Sequence, residues 1–236
     1  MIDIQENKAV SRFPQLNLMM GAPKIGKSTI MAQLPQALVL DLEGRGYNSI
    51  DVKALSKTTT FKDVKDGVEY FFSPANKDYS MLVIDHLRQL TSFMSDIIAS
   101  KHNAKFVEEI PYGQGTSQLK KTIRDFFEYL VDQLSKHPEK RVFIVAHSND
   151  KNNEIRLDVD GKNETMILGL VDSVGHVYRD GNNMIINFES KRGSEFGTRN
   201  SYLSNYQGPL DWKFLFNLAE GNKEAVKKAE SYKNKV

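Results

Sequence analysis

LNLMMGAPKIGKST, residues 16–29, joins an apolar run to a glycine-bearing turn and then to a short apolar segment. Gly21, Ala22, Pro23, Lys24, Ile25, Gly26, Lys27 and Ser28 fit the phosphate-binding pattern G-x-x-x-x-G-K-[ST] at every fixed position, and Thr29 next to them is counted with the nucleotide-binding residues. Glycines let backbone N–H groups close around a phosphate, and the helix that follows points its positive end at the anion. Lys27 is then expected to bridge the β- and γ-phosphates of ATP, and the Ser28 hydroxyl to ligate Mg²⁺. The apolar run Leu16 to Met20 supplies the strand the motif needs. Ile30, Met31 and Leu34 supply a short helix that stops at Pro35.

Working outward, two more apolar runs end in acids. Ala37 to Leu40 runs into Asp41-Leu42-Glu43-Gly44, and Met81 to Ile84 runs into Asp85. In an open parallel sheet both ends fall on the rim where ligands bind. Beside a phosphate loop, Asp85 has the position of the acid that holds the Mg²⁺ shell. Asp41 reads as an acceptor that fixes its own loop. Arg141 to Ala146 forms a further buried strand ending at His147.

Helical periodicity places amphipathic helices after Thr60, which caps with Asp63, along Leu87 to Ile98, and from Ser117 to His137. The segments Ser100–Thr116 and Ser148–Thr165 read as polar loops, and Arg45–Thr59 resists assignment. Val174 to Arg179, a turn at Asp180-Gly181-Asn182-Asn183, and Met184 to Phe188 read as a hairpin. Asn222 to Val236 carries many Lys and Glu residues and few apolar ones, so it is expected to be a solvated tail.

The 236 residues, 40% of them apolar, suit one α/β domain spanning 1–236, with a core over about 14–200 and a tail over about 220–236. Without cysteine, disulfides and thiolate chemistry are excluded. The net charge of +2 permits a polyanionic partner without requiring one. No run approaches the roughly 18 apolar residues of a membrane span, and the expectation is a cytoplasmic protein with no membrane partner. His86, His102, His137 and His176 show no metal-ligand spacing.

These pieces together resemble the RecA-type ATPases. AAA+ proteins usually carry Asp-Glu at the end of the Walker B strand, whereas Asp85 here is followed by His86. LVLDLEGRG resembles the RecA-family strand whose Glu activates water, and MLVIDHL the Walker B strand. RVFIVAHSND resembles the strand that senses the γ-phosphate. GAPKIGKST with DLEG, PYGQG and AHS is similar to the phage-encoded Sak group of single-strand annealing ATPases.

The resemblance implies a RecA-like P-loop NTPase core: a mostly parallel sheet flanked by helices, with an antiparallel C-terminal extension. It implies Glu43 as base, His147 as sensor, and DNA-facing loops at Glu108–Gly115 and Ser148–Thr165. One of Lys191, Arg192 and Arg199 is implied as a finger reaching a neighbour's γ-phosphate. ATP and Mg²⁺ are the implied cofactors; single-stranded DNA, further copies of the chain and a single-strand binding protein are the implied partners. The residues leave open a nucleotide-dependent interaction module such as a helicase loader. A small-molecule kinase is also open, although no arginine-rich lid is visible.

Overall fold

Five largely apolar strands lie side by side, as parallel strands do when helices cover both faces of their sheet. A computed structural model describes residues 12–151, 154–159, 161–190 and 195–233. The strands are β1 (Leu16–Gly21), β2 (Ala37–Asp41), β3 (Leu55–Lys57), β4 (Met81–Asp85), β5 (Arg141–Lys151), β6 (Glu154–Leu157), β7 (Ser173–Asp180), β8 (Asn183–Asn187), β9 (Gly197–Thr198) and β10 (Gln207–Pro209). Their order in the sheet is β10-β8-β7-β1-β5-β4-β2-β3, with β6 on β5 and β9 on β7. All pairs from β3 to β7 along this order are parallel, and β8 and β10 pair antiparallel.

The helices are α1 (Lys27–Met31), α2 (Phe61–Phe72), α3 (Leu87–Lys101), α4 (Gln114–Lys136), α5 (Gly161–Leu170), α6 (Trp212–Ala219) and α7 (Lys223–Lys233). Alternation along each strand feeds two cores. Leu16, Leu18, Met20, Leu38, Leu40 and Ile84 pack under α2, α3 and α4. Met19, Val39, Val83, Phe143 and Val145 pack against α1, α6 and α7. Thr60 and Asp63 form the expected reciprocal cap of α2. Among the described residues no helix is long and apolar enough to cross a membrane.

Three expectations are corrected. The C-terminal segment is not a solvated tail: α7 buries Ala225 and Ala229 in the second core, and Tyr232 meets Phe214 edge-on at 6.1 Å. Two alanines four residues apart let the helix approach closely, a face that counting large apolar residues overlooks. Ser148–Thr165 is not one loop, since β5 continues through Lys151 and pairs antiparallel with β6 before α5 begins at Gly161. Ser100–Thr116 is partly ordered, with 3-10 turns at Val107–Glu109 and Pro111–Gly113, and α4 starts at Gln114. Leu55–Lys57, in the segment that resisted assignment, is the edge strand.

Candidate nucleotide site

The parallel register sets the site. Gly21 pairs with His147 across β1 and β5, and Asp41 pairs with Asp85 across β2 and β4, so four chain segments meet on one rim. Gly21 is obligatory, because a Cβ there would sit 2.3 Å from the Val177 carbonyl oxygen. Gly26 enters α1 with φ 100°, a backbone that favours glycine. Trp212 Nε1 donates to the Ile30 carbonyl at 2.8 Å and pins the far end of this short helix.

Lys27 is buried, and its Nζ donates to the Gly21 and Ala22 carbonyls at 2.8 Å each. The same nitrogen lies 3.2 Å from His147 Nδ1. Burial pulls the lysine down to about 8, against the raising influence of Asp85 and Glu43. An ammonium has no lone pair, so His147 Nδ1 accepts and the ring proton sits on Nε2. Burial, then Lys27 and His86, lower the His147 pKa and favour its neutral form.

Ser28 Oγ donates to Asp85 Oδ2 at 2.7 Å, and the Tyr47 hydroxyl donates to the same oxygen at 2.9 Å. Burial raises the Asp85 pKa, and these two hydrogen bonds oppose it. Asp41 Oδ1 accepts the Gly44 N–H at 3.0 Å, as a loop-fixing acceptor should, but its Oδ2 is buried without a hydrogen-bond partner among the described residues. A hard, oxygen-seeking cation such as Mg²⁺ fits this set: the Ser28 hydroxyl, the Asp85 carboxylate and an orphaned carboxylate oxygen beside them. Sequence reasoning placed Ser28 and Asp85 there and missed Asp41 as a metal neighbour. It also missed Tyr47, which no local pattern marks.

Glu43 stands exposed at the rim, and its Oε1 lies 2.6 Å from the Nε2 of buried His86. The peptide bond from Asp85 to His86 is cis. His86 Nδ1 accepts the Gln89 N–H as the cap of α3, so Nε2 carries the proton and donates to the carboxylate. The rings of His86 and His147 meet edge-on, with centroids 4.6 Å apart. Ligand-type atoms of Glu43, His86 and His147 lie within 4.8 Å of one another. With both Nδ1 atoms accepting, this cluster offers N–H groups to a carboxylate rather than lone pairs to a metal.

Arg179, at the end of β7, donates from Nε to the Ile25 carbonyl at 2.9 Å. It is a cation at the phosphate loop that the sequence reading passed over, although its strand was recognised. Arg199 lies elsewhere: Nη1 meets Asp172 Oδ1 at 3.0 Å, and Asp172 Oδ2 accepts the Leu16 N–H at the opposite end of β1. The structure therefore brings Arg199 to the rim of the sheet opposite its own P-loop. Lys191 and Arg192 fall outside the described residues.

Residues 14–203 match the family described as AAA domain, which is most of the 236-residue chain. The chain belongs to this family. No curated protein matches it at the sequence level. Among solved structures it is similar to the RadB recombinase, at 11% identity and a TM-score of 0.42, over 75% of this chain and 81% of that one. It is also similar to a second solved structure, described as an ATPase domain, at 8% identity and a TM-score of 0.48, over 83% of this chain and 81% of that one. In this AAA domain the residue after Asp85 is a histidine that donates a hydrogen bond to an acid two residues past the end of the neighbouring strand.

Proposed function

We propose that the chain hydrolyses ATP with Mg²⁺ while bound to single-stranded DNA, as an annealing or recombination ATPase of the RecA-like kind. The observation that carries this reading is β5, which delivers His147 to Lys27 and continues without a break into the hairpin with β6. A nucleotide contact and an outer surface thus share one strand. Asp158 strengthens the link, donating its N–H to the His147 carbonyl at 2.9 Å. It also lines a cleft of about 430 Å³ with Arg88, Thr91, Ser92, Ser95, Leu119, Val159 and Asn163.

At the site, Lys27 leaves the Gly21 and Ala22 carbonyls for the β- and γ-oxygens, which are stronger acceptors. Glu43 polarises a water toward the γ-phosphate and takes its proton on Oε. Bound Mg²⁺ supplies positive charge to the phosphate oxygens, with Ser28, Asp85 and Asp41 as the groups that would hold it.

The DNA half rests on exposed aromatics between α3 and α4. Tyr112 is 96% exposed, with φ 57° between Pro111 and Gly113, and Phe106 is 53% exposed beneath the Lys105 ammonium at 5.3 Å. A left-handed backbone at a tyrosine costs energy, and such positions cluster at functional sites. Stacked bases would cover both rings. Arg156 is tied to Glu154 at 2.7 Å, so it must exchange partners to meet a phosphate. In this reading the chain works as a homo-oligomer in the cytoplasm, alongside a single-strand binding protein.

The test is ATP turnover with and without an oligo-dT strand, together with fluorescence anisotropy of the labelled strand at rising salt. Turnover stimulated by the strand, and binding that weakens with salt and with Tyr112→Ala, support the reading. ATP turnover indifferent to DNA, with no strand bound, overturns its DNA half.

A further inference from the structure

We propose that His86 is a positioning residue that aims the Glu43 carboxylate at the attacking water. The inference rests on the reading of Glu43 as the base, and it assigns a role to a residue that the phosphate-loop motif does not contain.

Glu43 lies two residues past the end of β2, with its side chain 47% exposed. Left to itself, an exposed glutamate samples many rotamers, and ordering it costs entropy. His86 is the opposite. Its side chain is 7% exposed, its ring edge meets His147, and its Nδ1 is held by the Gln89 N–H. The Leu42 N–H donates to the Asp85 carbonyl at 2.8 Å, which ties the two strand ends where Glu43 and His86 emerge. A fixed donor therefore grips a mobile acceptor at 2.6 Å. The grip fixes one carboxylate oxygen and leaves the other for water. A misplacement of about 1 Å can cost a hundredfold in rate, so such a grip has kinetic weight.

The same imidazole also caps α3, and the two jobs can be separated. His86→Asn keeps a good helix cap, because asparagine ranks with the best N-cap residues, but its amide is too short to reach Glu43. His86→Gln gives up the cap and places an amide N–H at about the reach of Nε2. Turnover at saturating ATP and displacement of a fluorescent ATP analogue are measured for both, and again in a Glu43→Gln background.

The expected result is a loss of about tenfold or more in kcat for His86→Asn, with nucleotide affinity within about twofold of wild type. His86→Gln recovers most of the rate. In the Glu43→Gln background His86→Asn costs nothing further, since the group it aims is gone. Wild-type kcat in His86→Asn, or equal losses in both backgrounds, overturns the proposal. Should His86→Asn fail to fold, the imidazole Nε2–H proton signal decides. It must be protected in the wild type and lost in Glu43→Ala, and an unprotected signal in the wild type overturns the proposal. Full turnover in Glu43→Gln alone would instead defeat the reading of Glu43 as base.

Discussion

Lys27 Nζ lies 3.2 Å from His147 Nδ1, which joins the phosphate loop after β1 to strand β5. Three acceptors hold the ammonium: two loop carbonyls and this imidazole. A phosphate that draws Lys27 away would leave His147 without its donor, and strand β5 is then expected to register the arrival of nucleotide. Removing the imidazole with His147→Ala should leave ATP affinity within a few-fold and abolish the difference in turnover with and without DNA. Fully DNA-stimulated turnover in this variant would remove His147 from the coupling route.

Lys27→Ala should weaken ATP binding by about a hundredfold. Hydrogen bonds to charged groups contribute about 1.5–3 kcal/mol each, and about 1.4 kcal/mol is tenfold in affinity. Isothermal titration with a slowly hydrolysed ATP analogue measures it. An unchanged dissociation constant would refute the phosphate-loop role of the residue.

The oxygens around Ser28 predict a graded metal dependence. Asp85→Asn removes the charge that Ser28 and Tyr47 address, and Asp41→Asn removes the charge on an oxygen that has no hydrogen-bond partner among the described residues. Both substitutions should raise the Mg²⁺ concentration needed for half-maximal nucleotide binding, Asp85→Asn the more. Asp41→Asn without effect on this titration would leave Asp41 as a loop-fixing residue alone.

A pH dependence follows from Glu195. Burial, then a hydrogen bond with Glu164, raises its carboxyl to about 7 from 4.5, while both groups accept the Leu157 N–H. Between about 4.5 and 7 the folded state holds more protons than the unfolded one, so this contribution is full below the window and lost as pH rises through it. Thermal melts of the wild type should therefore drop more between pH 5 and pH 8 than those of Glu195→Gln. Parallel curves for the two proteins would contradict the shared proton.

From its place at the far end of β1, Arg199 could meet a γ-phosphate only if that phosphate were bound by another copy of the chain. If it does so, mixing Lys27→Ala with Arg199→Ala protein should restore part of the turnover that each lacks, because some interfaces pair an intact loop with an intact finger. Breaking the Asp172 pair alone should cost less than about 1 kcal/mol of stability, as exposed ion pairs do. Oligomers that form without restored turnover would return Arg199 to its ion pair.

The residues that act within a few positions of one another are legible in the sequence itself. Gly21 to Ser28, the cap of Thr60 on Asp63, and the apolar runs ending at Asp41, Asp85 and His147 are written in local chemistry: backbone freedom, short-range hydrogen bonds and continuous burial. What stayed hidden depends on register. Glu43 meets His86, Tyr47 meets Asp85 and Arg179 meets Ile25 only because β2, β4, β5, β1 and β7 align in parallel at one height. A slip of one residue would turn Asp85 and Arg179 to the other face of the sheet and move the loops that carry Glu43, Tyr47, Ile25 and His86 out of reach. The packed α7 escaped for a related reason, since Ala225 and Ala229 stabilise by fitting closely against a surface that the tertiary fold creates. Local sequence specified which groups could bind a phosphate, and the alignment of distant strands chose the groups that surround it.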